Sequence, residues 1–343
     1  MAEAARILVV GPAWVGDMVM AQSLFITLAQ QHPGAQIDVV ASPWSLPLLA
    51  RMPQVHRGIA LSVPHGRFGL AARWRLGREL RHEHYDQAIV IPRSWKSALV
   101  PFLAGARRRT GYRGEMRYGL LNDIRPLDKA VLRRTVERYV ALGLPADTPL
   151  PPAAIPEPQL RVDSANRERL LAELGLRGER PAVAMMPGAE YGPSKRWPLA
   201  HYAQLAARLQ AEGRQVWLFG SERDRDDAER IIALSGASLH NLCGRTRLED
   251  AVDLLSACSA AVTNDSGLMH VAAAVGIPLV AIYGSSTPDY TPPLSIQATV
   301  LYRGLDCSPC FKRECPLGHL NCLNEITPES VYDALSQSME SDA

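Results

Sequence analysis

No apolar run in this chain of 343 residues approaches the ~18 residues that a membrane-spanning helix needs. The opening Met1-Ala-Glu-Ala-Ala-Arg6 lacks a basic segment followed by a signal-length apolar core. Both absences predict an intracellular protein whose contact with a membrane, if it has one, is peripheral. No Gly-x-Gly-x-x-Gly fingerprint occurs, and no Lys-Ser/Thr follows Gly16 in "GPAWVGD". The usual dinucleotide fingerprint and the P-loop are therefore missing. Net charge is only +2, so bulk charge selects no partner. Its distribution is more informative, because residues 64–139 hold 17 Lys/Arg against 7 Asp/Glu. That local excess suggests an anionic partner for the N-terminal half, although a solvated arginine-rich surface accounts for it equally well.

What is present is ordinary for a globular chain: 47% hydrophobic and 21% charged residues, at a length that suggests two domains. Apolar runs at 7–10, 37–40 and 88–91 alternate with helical patterns at 17–31, 44–51 and 95–104. The second half repeats the scheme. Its strands fall at 182–186, 215–220, 260–263, 279–283 and 299–302. Its helices fall at 199–211, 223–234, 248–257 and 269–275, with a last one at 328–338. Such alternation predicts an α/β protein built from right-handed βαβ units and parallel sheets. The proline-dense stretch 144–160, "LPADTPLPPAAIPEPQL", excludes helix and most strand pairing and reads as a stiff linker. The expected layout is a domain at 1–150, a linker at 151–163 and a domain at 164–343. Two open sheets would then present their strand C-terminal ends to a cleft, where ligands bind in such folds.

Four strand ends carry polar residues with a plausible chemical task. In "GPAWVGDMVM", Asp17 opens a helix after the first strand. A carboxylate there repels phosphate but accepts a proton from a hydroxyl, unless it is simply a helix cap. In "PGAEYGPSKRWP", Lys195 lies near a helix start. A cation opposes the helix dipole there, which favours a phosphate-binding role over surface charge. In "LFGSERD", Glu222 can accept hydroxyls of a ribose or cap its helix. In "TNDSGLMHVAAA", Asp265, Ser266, Gly267, Leu268 and His270 join a strand to a helix. The N–H groups of Ser266 and Gly267 suit a diphosphate, and Asp265 then needs a hydroxyl or backbone partner.

Of six cysteines, Cys243 and Cys258 read as core residues. Cys307, Cys310, Cys315 and Cys322 cluster in "CSPCFKRECPLGHLNC". Disulfides are disfavoured inside cells. Four thiolates at short spacing could ligate zinc, although only the first pair has zinc-ribbon spacing. The alternative is a reduced loop held by its prolines.

Taken together, "GPAWVGDMVMAQSL", "KSALVPFLAG", "RTGYRGEMRYGLLND", "PGAEYGPSKRWP", "FGSERD" and "TNDSGLMHVAAA" resemble the ADP-heptose:lipopolysaccharide heptosyltransferases, from Ile7 to Pro293. This is glycosyltransferase family 9, whose inverting enzymes have the GT-B fold of two Rossmann-like domains. The resemblance is closer to the enzyme that adds the second inner-core heptose than to the one that adds the first. It implies Asp17 as general base. It also implies donor contacts by Lys195, Glu222, Asp265, Ser266, Gly267, Leu268 and His270. For the acceptor it suggests Lys96, Arg113 and Arg117. The donor would be ADP-heptose, bound by the C-terminal domain, and no metal or other cofactor would be required. The acceptor, heptosyl-Kdo2-lipid A, would bind the N-terminal domain, where its anionic groups match the arginines at 107–117. The expected protein is a monomer working at the inner face of the cytoplasmic membrane, with no nucleic-acid partner. A nicotinamide dehydrogenase is disfavoured by the missing glycine fingerprint. A two-lobed sugar-binding module is disfavoured by the missing leader.

Overall fold

The structure, a computed structural model, describes residues 4–63, 68–176 and 180–340. The first positions of the basic segment, 64–67, lie outside these. Internal contacts divide the chain between Pro158 and Gln159, and each unit is built on one six-stranded, wholly parallel sheet.

The N-terminal sheet comprises β1 (Arg6–Val10), β2 (Gln36–Ala41), β3 (Val55–Ala60), β4 (Gln87–Val90), β5 (Arg108–Tyr112) and β6 (Asp123–Arg125), in the order β3-β2-β1-β4-β5-β6. The C-terminal sheet comprises β7 (Ala182–Met186), β8 (Gln215–Leu218), β9 (His240–Asn241), β10 (Cys258–Asn264), β11 (Leu279–Tyr283) and β12 (Ala298–Tyr302), in the order β12-β11-β10-β7-β8-β9. Strand order reverses between β1 and β4 in one sheet and between β7 and β10 in the other. At such switch points the connections diverge to opposite faces and leave a crevice at the strand C-termini.

The central strands form because parallel sheets are covered on both faces and so need nearly continuous apolar sequence. "AVAMM" and "LVAIY" are buried at every position. Helix Leu199–Ala211 buries Tyr202, Leu205 and Leu209 in the same core as Val183, Val216 and Ile282. Trp197, wholly buried, packs edge-on to Tyr202 at 4.8 Å and donates from Nε1 to the Ile326 carbonyl (2.7 Å). Cys243 and Cys258 are core residues as expected.

Four strands are not visible as apolar runs, because polar contacts hold three of them, β3, β5 and β6, and the fourth, β9, has only two residues. Asp38 of β2 is buried, and its carboxylate accepts from Tyr85 (2.6 Å) and from Arg57 of β3 (2.7 Å), with His56 of β3 at 2.9 Å. Burial alone would raise the Asp38 pKa, but these partners outweigh it and hold the carboxyl below its ordinary range. Likewise Asp123 of β6 binds Arg108 and Thr110 of β5, each at 2.9 Å. β9 has two residues. The proline-rich segment is anchored locally at both ends. Ser23 Oγ donates to the Pro156 carbonyl (2.6 Å) in the first unit, and Leu160 N–H donates to Ala274 (2.9 Å) in the second.

Candidate active site

In the C-terminal unit, the residues at the switch point are tied together. Asn264 ends β10 with its side chain buried. Its Oδ1 accepts from Trp197 N–H (2.9 Å), and its Nδ2 donates to the Pro187 carbonyl (2.7 Å). One amide thus clamps both ends of the loop that follows β7. That loop carries Lys195, whose ammonium is ion-paired with the Asp265 carboxylate. The same carboxylate oxygen accepts from Ser286 Oγ, in the loop after β11. Lys195 also lies 5.1 Å from the Tyr191 ring centroid, a cation–π distance.

Lys195 belongs to a separate 3₁₀ turn, Pro193–Lys195, while the following helix begins at Leu199. The expected conflict with a helix dipole therefore does not arise. What restrains Lys195 is the paired Asp265 carboxylate.

Ser266 is the N-cap of helix Gly267–Val275, but its hydroxyl makes no capping bond. The first-turn N–H groups of an α-helix have no intrahelical partner. Here they lie beside Lys195 and Asp265, with Ser266, Gly267 and Leu268 partly exposed. Positive backbone ends and an ammonium make this spot suited to an anion. His270 is placed differently from a surface contact, being 5% exposed. Burial pushes its pKa down to about 4, and Lys195 adds to this while Asp265 opposes it. The imidazole is therefore neutral at pH 7.

Glu222 begins the turn Glu222–Asp224 after β8. It is not the cap: Asp224 accepts from both the N–H (2.8 Å) and the hydroxyl (2.7 Å) of Ser221. Glu222 stays exposed and pairs with Arg225 at 3.0 Å. Gly244, at φ +71°, passes so close that a Cβ there would lie 1.9 Å from a Glu222 oxygen. Asp224-Arg225-Asp226 has Asp-x-Asp spacing, but Asp224 is engaged in this cap and Asp226 lies in the first turn of the next helix.

In the N-terminal unit, Asp17 is the third residue of helix Val15–Gln31, directly after β1. The N-cap is Trp14, so Asp17 is not the capping residue, and it is partly exposed. Lys96, also partly exposed, lies in the turn Trp95–Ala98 after β4. These two residues thus follow the strands that flank the first switch point.

The proposed acceptor arginines separate. Arg113 is exposed and lines an open groove of about 780 Å³ with Arg93 and Lys129. Arg117 is 2% exposed, which corrects the expectation of a surface contact. Its guanidinium donates to the carbonyls of Pro92 (2.7 Å) and Tyr112, and burial lowers its pKa. It braces the loop that bears Arg113.

Several residues here were not singled out from the sequence. Arg93 and Lys129 join Arg113 only through folding. Asn264 and Ser286 carry no motif signal beyond adjacency to Asp265. Trp14, Trp44 and Trp95, all at least 40% exposed, follow β1, β2 and β4 in turn. A tryptophan placed shortly after each of three strands is a signal that the sequence did hold.

The four clustered cysteines are not in disulfides. Among the described residues, no group of three or more Cys, His, Asp or Glu stands ready to hold a metal ion, and no helix is long and apolar enough to cross a membrane.

Comparison with known proteins identifies the family. Residues 73–321 match the model of glycosyltransferase family 9 (heptosyltransferase). The lipopolysaccharide heptosyltransferase 2 of Escherichia coli K12 is 48% identical over 339 residues, covering 96% of this chain and 97% of that protein. The lipooligosaccharide heptosyltransferase 2 of Haemophilus influenzae is 46% identical, covering 97% and 99%. The solved E. coli ADP-heptose heptosyltransferase II superposes with a TM-score of 0.88 at 45% identity, covering 98% and 99%. The two parallel-sheet units are those of the GT-B fold, and the chain belongs to glycosyltransferase family 9, the heptosyltransferases.

Proposed function

We propose that the protein transfers L-glycero-D-manno-heptose from ADP-heptose to the first heptose of the lipopolysaccharide inner core, heptosyl-Kdo2-lipid A. The observation that carries this reading is the arrangement at the second switch point. There Lys195 is tied through Asp265 to the start of helix Gly267–Val275, whose first-turn N–H groups have no intrahelical partner. This is a receptor for a diphosphate.

The C-terminal unit holds the donor in this reading. Lys195 and the N–H groups of the turn at 266–268 take the charge that develops on departing ADP. Glu222 accepts a hydroxyl of the nucleotide-sugar, and neutral His270 supports the turn from behind. The N-terminal unit holds the acceptor, with Lys96 and the Arg113 groove meeting its anionic groups. Asp17 removes the proton from the acceptor hydroxyl as that oxygen bonds to the anomeric carbon. The bond from that carbon to the diphosphate breaks, its electrons leave with ADP, and attack on the opposite face inverts the centre. No metal takes part in the transfer. The lipid-anchored acceptor locates the enzyme at the inner face of the cytoplasmic membrane, as a peripheral monomer.

The test incubates wild type and Asp17→Ala with ADP-heptose and mono-heptosylated Kdo2-lipid A, and weighs the lipid product. Gain of one heptose with wild type, and loss of ~10²–10⁴-fold in rate with the variant, is the expected outcome. Equal transfer by both proteins removes Asp17 from the chemistry. Transfer only to the unheptosylated acceptor reassigns the enzyme to the first step, and donor binding without transfer makes it a binding module.

A further inference from the structure

The segment between β12 and helix Asn321–Asn324 carries Cys307, Cys310 and Cys315, and the helix itself carries Cys322. The proposed transfer uses none of them. All four are free thiols, and all four line one cavity of about 20 Å³, room for a single water-sized body.

The backbone turns sharply after Cys315. Gly318 N–H donates to the Cys315 carbonyl (3.1 Å), closing a turn directly after that cysteine. This stretch uses left-handed backbone at Gly318 (φ +73°) and at the non-glycine Leu320 (φ +52°). A non-glycine residue held there costs conformational energy and persists only where its surroundings require it. His319 lines the same cavity, but its Nδ1 accepts from Asn321 N–H (2.9 Å), so it caps the short helix.

We propose that Cys307, Cys310, Cys315 and Cys322 bind one thiophilic divalent cation, Zn²⁺ or Fe²⁺, as a tetrathiolate. Tetrahedral S₄ coordination suits both metals. The four are not yet gathered as ligands, so exposed Cys307 and half-exposed Cys310 would turn inward on binding to complete the set with Cys315 and Cys322.

The cation would be structural, and its place in the fold gives it a task. Three successive carbonyls between Cys310 and Cys315 hold the loop that carries Lys195. Phe311 O accepts from Tyr191 Oη (2.8 Å), Lys312 O from Ser194 Oγ (2.5 Å), and Arg313 O from Ser194 N–H (3.2 Å). Gly192 approaches so closely that a Cβ there would lie 2.6 Å from Arg313 O. Ordering the cysteine segment therefore orders Lys195; this consequence, unlike the metal site itself, rests on the donor role proposed for that residue.

The experiment measures metal in the full chain purified without chelator, by plasma mass spectrometry, and repeats the measurement after Co²⁺ replacement. We expect about one equivalent of zinc or iron per chain, the same digest telling which, and the charge-transfer and intense visible bands of tetrahedral Co²⁺–thiolate. Cys310→Ser and Cys315→Ser each lower metal content at least tenfold, while His319→Ala keeps it. Wild-type protein without metal and without the cobalt bands overturns the proposal, whether or not the variants fold. So does retention of metal by both cysteine variants, or an intact mass lowered by two disulfides. Stripping the metal from wild type should speed amide exchange at Ser194 and Lys195, and unchanged exchange there refutes the positioning task. None of these readouts depends on heptose transfer, so either reading can fail alone.

Discussion

The Lys195 ammonium and the Asp265 carboxylate form an ion pair that joins the loop after β7 to the end of β10, with both side chains largely buried. A charge pair taken out of water is costly when one partner is removed, because the other is left uncompensated. The pair therefore has two roles that mutation separates.

Replacing Lys195 with Met should lower kcat/KM by ~10²–10³-fold, the usual effect of deleting one donor to a developing anion. Each single replacement, Lys195→Met or Asp265→Ala, should also destabilise the protein by about 3 kcal/mol, because it leaves one largely buried charge unpaired. Urea melts beside steady-state kinetics distinguish the two. A Lys195 variant with unchanged kcat/KM would falsify the donor role.

Asn264→Ala removes the clamp from both ends of the Lys195 loop. The Trp197 N–H and Pro187 carbonyl are left without it in a buried site, at about 1–3 kcal/mol each. A lower denaturation midpoint and a raised KM for ADP-heptose are expected, with the acceptor KM unchanged. An unaltered midpoint would show that the clamp is dispensable.

His270 sets an acid limit on stability. Its folded pKa of about 4 lies below its ordinary 6.5. Between those values the unfolded chain holds a proton that the folded chain refuses. Stability is therefore full above pH 7 and declines as pH falls toward 4, by about 3 kcal/mol at most. Denaturation at a series of pH values should show a shallower decline for His270→Asn than for wild type. Parallel curves would mean that His270 does not titrate in this way.

Arg113 and Arg117 should respond differently to substitution. Arg113→Ala is expected to raise the acceptor KM several-fold at constant Tm, because its side chain reaches the groove. Arg117→Met leaves the Pro92 and Tyr112 carbonyls without their donor. It should cost about 2–4 kcal/mol while the correctly folded fraction keeps its KM. The reverse pattern would restore Arg117 as a contact residue.

Legibility followed burial. The buried strands "AVAMM" and "LVAIY" and the helix Leu199–Ala211 have the bounds that their apolar pattern predicts. A fully covered parallel strand admits almost no polar residue, so its ends are marked in the sequence. β3, β5 and β6 escaped notice because ion pairs and hydrogen bonds, such as Asp38–Arg57 and Asp123–Arg108, take the place of apolar runs. Helices Leu70–Glu79, Thr135–Gly143 and Ser164–Glu173 were also missed, the first lying within the basic segment, where charge obscures periodicity, and the second starting at its end.

The sequence alone determined the α/β alternation, the two-part layout and the placing of Asp17, Lys195, Glu222 and Asp265 at strand ends, because each depends on local spacing along the chain. Tertiary structure alone decided which of these groups meet. Lys195 and Asp265 are 70 residues apart, and only the reversal of strand order at β7 and β10 brings them together. It also decided that Arg117 is buried while Arg113 is exposed, since four positions along an irregular loop carry no fixed periodicity. The four cysteines illustrate both cases: their spacing raises the question of a metal, and only the fold gathers them around one cavity behind the Lys195 loop.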